Sequence, residues 1–103
     1  MKACVLMLTC ANNTEADVIA EKLLNSKLII CAKKVAVSSQ FYWKGSQEHS
    51  EEILMIMDSA EELFDKVEQE IRNHHSYETF NLVALPVTKT SKGVSDWMTE
   101  GLK

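Results

Sequence analysis

The sequence predicts an α+β fold in which four strands and two long helices follow one another as β-α-β-β-α-β, with a short helix at the end. Three observations carry this. Four apolar or β-branched runs have the length and composition of strands. Two segments between them repeat apolar residues at the i, i+3, i+4, i+7 spacing of a helix. Only three Gly and one Pro occur in 103 residues, which leaves little room for loops. A chain of this length reads as one domain, residues 1–103, and 46% apolar residues are enough to fill its core.

The first strand is residues 2–9. Cys4, Leu6 and Leu8 share one parity, Val5 and Met7 the other, so both faces of the strand are apolar. Asn12-Asn13 reads as a turn, and Thr14 with Asp17 as a capping box. Ala16, Ile19, Ala20, Leu23 and Leu24 then form one helical stripe. Residues 28–44 are extended, with Val35, Val37, Ser39, Phe41 and Trp43 on one parity. This exceeds a usual strand length and predicts a bend or an overhang.

Gly45 opens a polar stretch, SQEHSE, read as an acidic loop. EILMIM, residues 52–57, is a third strand, again apolar on both parities. Ser59 with Glu62 reads as a second capping box, and Ala60, Leu63, Phe64, Val67 and Ile71 as the second stripe. Phe80 to Thr88 is the fourth strand, where Pro86 marks an edge or a bulge. Val94, Trp97, Met98 and Leu102 line the final helix. This order is the ferredoxin-like split β-α-β arrangement with an antiparallel sheet.

That fold places both long helices on one face of the sheet. The other face normally meets water, yet here the first, third and fourth strands are apolar on both parities. Burying ~600 Å² of such surface contributes on the order of 15 kcal/mol before the costs of association. The final helix is one candidate cover for part of it, and self-association is the expected cover for the rest.

Composition excludes several functions. Net charge is −4 and Arg72 is the only arginine, so there is no electrostatic footprint for nucleic acid. No segment has the length of a membrane span. The N-terminal MKACVLMLTCA has too short an apolar run for a signal peptide and reads as a mature strand. Cys4, Cys10 and Cys31 form no CxxC, and their odd number suggests reduced thiols and a cytoplasmic setting. Neither a nucleophile–base constellation nor a phosphate-cradling glycine loop is present, so no enzyme is expected.

The chemistry worth weighing lies in NHHSYETF. His74 and His75 are good ligands for copper, zinc or nickel. Neighbours on a helix point about 100° apart, so both reach one ion only if the helix has ended. The competing reading is two histidines favoured by the dipole at a helix C-terminus. Cys10, near a strand end, is the best-placed thiol ligand, whereas Cys4 and Cys31 read as small buried hydrophobes. His49 among Glu48, Glu51 and Glu52 reads as part of a solvated loop, with a cation site as the sharper alternative. Phe41, Tyr42 and Trp43 read as interface anchors. Tyr77 and Glu78, with Lys33 or Lys34, outline a candidate cleft for a small anion.

Several stretches carry a resemblance: KLIIC (27–31), SSQFYWKG (38–45), Glu52 before the third strand, HHSYETF (74–80), LVALPVT (82–88) and DWM (96–98). Together, nearly end to end, the chain resembles the CutA-type proteins linked to divalent-cation tolerance. The resemblance implies an intertwined homotrimer with strands joined across subunits. It also implies copper held by His74, His75 and a first-strand cysteine. The family cysteine falls on Leu8, and Cys10, two residues on and on the same face, is its substitute. Ala11, Asp58, Ser76, Phe80 and Val94 depart from the family pattern. The expected function is therefore binding of a divalent ion, copper above all, in metal tolerance. The alternative is a trimeric signalling or scaffolding module that takes a small anion or nucleotide between subunits. The short acidic link between strands two and three counts against it.

Overall fold

The computed structural model describes all 103 residues. The strands are β1 (Ala3–Cys10), β2 (Cys31–Trp43), β3 (Ser46–Ala60) and β4 (Leu82–Pro86). The helices are α1 (Asn13–Asn25), α2 (Phe64–Arg72, entered through a 3-10 turn at Glu61–Leu63) and α3 (Val94–Gly101). One antiparallel sheet has the order β2-β3-β1-β4. The predicted element order and fold class are observed.

Register sorts the side chains. On β1, Cys4, Leu6, Leu8 and Cys10 lie opposite Ser59, Met57, Met55 and Ile53 of β3. All eight are buried, and they pack with Ile19, Leu23, Val67 and Ile71 of the two long helices. On the reverse face, Val5 and Met7 lie opposite Asp58 and Ile56 on one side and Leu85 and Val83 on the other. Leu54 there faces Val35 of β2. Val35, Val83 and Leu85 remain exposed. The apolar second face predicted from the strand parities is therefore present and uncovered within one chain. The final helix sits toward the end of the sheet: Gly101 abuts Ile30, and the Lys103 amide donates to the Lys27 carbonyl.

Three local readings change. The first helix is capped by Asn12, whose side chain accepts from the Glu15 amide at 2.9 Å, and Thr14 already lies inside the helix. Asparagine with extended backbone is as good an N-cap as threonine, and it comes first. Ser59 is not a cap. It is buried on β3 and donates to the Leu28 carbonyl at 2.7 Å, while Glu62 accepts from the Lys2 amide at 2.9 Å.

The largest change is SQEHSE, which is strand. Lys44 (φ 50°) and Gly45 (φ 85°) alone make the turn, both left-handed as a two-residue hairpin requires. Pairing with β1 stops at Ile53, so residues 46–52 of β3 pair only with β2. The two strands form an arm projecting beyond the sheet. The arm accounts for the 44 × 25 × 22 Å shape and a radius of gyration of 14.2 Å, against about 13 Å for a compact chain of this length.

Candidate metal centre

The Cys10 end of the covered face is closed by polar groups from three elements. β1 contributes Cys10, the first turn of α1 contributes Glu15, and the segment after α2 contributes His75. Their ligating atoms lie within 4.8 Å of one another. Helix α2 has ended at Arg72, and the amides of His74 and His75 both donate to the Ile71 carbonyl at 2.9 Å. That ending turns the two rings apart. His75 points inward and its imidazole is fully buried, whereas His74 points outward to Glu70, with Nε2 3.5 Å from the carboxylate.

His75 is held on every side. The Tyr77 amide donates to Nδ1 at 3.1 Å, which leaves Nε2 to carry the proton and donate to the Thr9 carbonyl at 2.9 Å. The ring stacks on Phe80 at 5.1 Å and tilts against Tyr77 at 4.8 Å. Glu15 accepts from the Ala11 amide at 3.0 Å and the Ser76 amide at 2.9 Å, and lies 3.6 Å from His75 Nδ1. Burial pushes the Glu15 pKa up. Hydrogen bonds from Ser76 and Ala11, with the nearby imidazole, outweigh it and hold the carboxyl below its usual range.

Cys10 is fully buried, with Sγ 3.6 Å from Met55 Sδ, and is not the accessible thiol that its place near a strand end suggests. Burial, then Glu15 and Glu52, push its pKa up to about 12. Cys4 is buried as expected. Cys31, read as buried, is partly exposed beside Lys33, whose Nζ lies 3.5 Å from Sγ.

The donor set fits a metal in part. Nitrogen, oxygen and sulfur ligands within 4.8 Å of one another close on one ion with small movements, and thiolate with imidazole suits copper or zinc. Coordination must take His75 Nδ1 from the Tyr77 amide and a proton from Cys10. Sequence reasoning named His75 and Cys10 but missed Glu15. Its signal was available, because Glu15 occupies the first helical turn three residues after an Asn cap. His74 lies outside this cluster.

The lysines of the candidate anion cleft are committed elsewhere. Lys34 pairs with Asp17, and Lys33 lies 3.7 Å from Asp58. Tyr77 instead donates to Glu52 at 2.7 Å. The small-anion reading thus loses its cations within one chain. His49 is on the arm, 2.8 Å from the Ser38 hydroxyl, and not in a loop.

The arrangement defines a class of protein: a ferredoxin-like domain with one uncovered apolar sheet face, a projecting hairpin arm, and a buried Cys–Glu–His cluster under the helices. The profile of the CutA1 divalent ion tolerance protein matches residues 4–101. The divalent-cation tolerance protein CutA of Archaeoglobus fulgidus is 34% identical over 95 residues, covering 92% of this chain and 93% of that protein. The CutA of Citrobacter koseri is 29% identical over 103 residues, covering 99% and 90%. Among solved structures, the periplasmic divalent cation tolerance protein CutA from A. fulgidus superposes with a TM-score of 0.95 at 32% identity, covering 98% and 99%. CutA1 from Oryza sativa, at 22% identity and covering 100% and 95%, shares the fold with a TM-score of 0.95. The chain belongs to the CutA1 divalent ion tolerance family.

Proposed function

We propose that this protein binds a divalent metal ion of the copper type in metal tolerance, as a homotrimer and without catalysing a reaction. The observation that carries the reading is the convergence of Cys10, Glu15 and His75 on one point, in a family named for divalent-ion tolerance. Relative to the set His74, His75 and Cys10, Glu15 takes the place of His74, which is turned outward. The uncovered face supports self-association, since Val5, Met7, Leu54 and Ile56 are only half-buried and their neighbours Val35, Val83 and Leu85 are exposed. Three free cysteines support a reducing, cytoplasmic compartment, although the A. fulgidus relative is described as periplasmic. Cell fractionation decides between the two.

Copper titration by calorimetry at several pH values tests the site. Uptake of one ion per chain is expected, lost in His75→Ala and in Cys10→Ala, and retained in His74→Ala. Because the Cys10 pKa is pushed up to about 12, binding releases its proton, and affinity falls up to tenfold for each unit that pH drops. Unchanged copper uptake in a His74→Ala/His75→Ala double variant would remove the site.

A further inference from the structure

Cys10 has one sulfur neighbour outside its cluster with Glu15 and His75. The Cys10 thiol donates to the Met55 thioether, with Sγ and Sδ 3.6 Å apart. Both side chains are fully buried on the covered face of the sheet. Cys10 lies opposite Ile53, which makes Met55 its diagonal neighbour on β3. A long side chain bridges that diagonal, and the rotatable bonds of methionine let its sulfur settle against the thiol. Met57 is two residues further along the same face, roughly 6.8 Å away by strand rise, and lies opposite Leu6.

The separation of the two sulfurs is close to that of two ligands on one ion. Sulfurs each about 2.3 Å from a tetrahedral metal lie about 3.8 Å apart. The proton between Cys10 and Met55 is the one that a metal on the thiolate replaces. Cys10 also belongs to the group whose ligating atoms lie within 4.8 Å of one another. An ion on its sulfur therefore has the His75 imidazole and the Met55 thioether both within reach of small movements.

The ligand types then discriminate between ions. Zinc is held by thiolate, imidazole and carboxylate, whereas Cu(I) is a soft ion that takes thiolate and thioether together. Charge points the same way. The Cys10 thiolate alone neutralises Cu(I) in this buried place, and Glu15 keeps its bonds from the Ala11 and Ser76 amides. A divalent ion calls on the Glu15 charge as well.

We infer that Met55 is a further copper ligand and makes the site selective for Cu(I), held by the Cys10 thiolate, the His75 imidazole and the Met55 thioether. The inference rests on the proposed reading that Cys10 and His75 hold copper, and adds the ligand that sets the preferred oxidation state. Divalent ions enter the same place through Cys10, Glu15 and His75, without Met55.

The test is anaerobic titration of the full-length protein with Cu(I) in competition with bicinchoninate, read from the absorbance of the chelator complex, beside calorimetry with Zn(II). Met55→Leu, a swap of similar volume, weakens Cu(I) at least tenfold and Zn(II) less than twofold. Met57→Leu, in the same core, leaves both unchanged. X-ray absorption at the copper edge shows two sulfur neighbours per Cu(I) in the native protein and one in Met55→Leu. Equal Cu(I) affinity of the native protein and Met55→Leu, with Cys10→Ala and His75→Ala still abolishing uptake, overturns this inference and leaves the proposed site standing. Equal weakening of Cu(I) and Zn(II) by Met55→Leu, or a matching loss in Met57→Leu, also overturns it, because either marks an effect of packing. Cu(I) uptake that survives both Cys10→Ala and His75→Ala overturns the inference and the proposed site together.

Discussion

The two faces of the sheet are nearly equal in apolar content and opposite in fate. Cys4, Leu6, Leu8, Met55 and Met57 are fully buried under α1 and α2. Val5, Met7, Leu54 and Ile56, one residue out of phase on the same strands, have no helix over them, and their neighbours Val35, Val83 and Leu85 are exposed. Strand parity alone assigns the two sets, because successive side chains point to opposite faces. The difference teaches that a single chain meets only half of its sheet's demand for cover. The covered half is stabilised by this chain. The open half gains stability only from something brought to it.

Paired substitutions sharpen that contrast most. Leu6→Ala on the covered face should cost about 2–5 kcal/mol, read from chemical denaturation. Ile56→Ala removes similar atoms from the open face. If further copies of this chain cover the open face, its cost should depend on protein concentration. Equal, concentration-independent losses at both positions would erase the distinction between the faces.

A smaller effect is expected at the polar plug that closes the covered face. Glu15→Ala strands the Ala11 and Ser76 amides and should cost about 2–3 kcal/mol. Its pH dependence has a definite sign. The folded pKa of Glu15 lies below its unfolded value, so its stabilisation is fully present above the unfolded pKa. It fades as pH falls through the folded one. The stability gap between the native protein and Glu15→Gln should therefore be widest near neutrality and close in acid. A gap that widens in acid would contradict the assignment.

The smallest effect separates the two histidines. His74→Ala, at a partly exposed side chain near Glu70, should change stability by no more than about 0.5 kcal/mol. His75→Ala leaves the Tyr77 amide and Thr9 carbonyl without their partner and should cost clearly more. Equal thermal midpoints for the two variants would mean that the inward and outward placements are wrong.

Much of this was legible in the sequence. Continuous apolar runs and one long alternating run placed the four strands, period-3.6 stripes placed the two long helices, and the apolar second parity of Val5, Met7, Leu54 and Ile56 pointed to the uncovered face. The arm was only half legible. The excess length of the second strand predicted an overhang, but the polarity of SQEHSE disguised its other strand. Residues with water on both sides carry no apolar alternation, and Lys-Gly is a weaker turn signal than Asn-Gly. The helix starts were misread where two capping residues competed and where Ser59 turned inward to the Leu28 carbonyl. The histidine pair was found, but its division was not. Which ring faces inward depends on where α2 ends, to the residue, and on the Tyr77 amide that receives it. Neither is a property of the two-letter motif.

The central claim is that the open face is covered by further copies of this chain. Sedimentation analysis at low micromolar concentration, on the native protein beside Ile56→Asp, tests it most directly. The native protein should sediment at three times its 11.6 kDa chain mass, and the variant, with a charge at the centre of the open face, at the mass of one chain. A native protein that sediments as a stable, well-behaved single chain of 11.6 kDa would contradict the account.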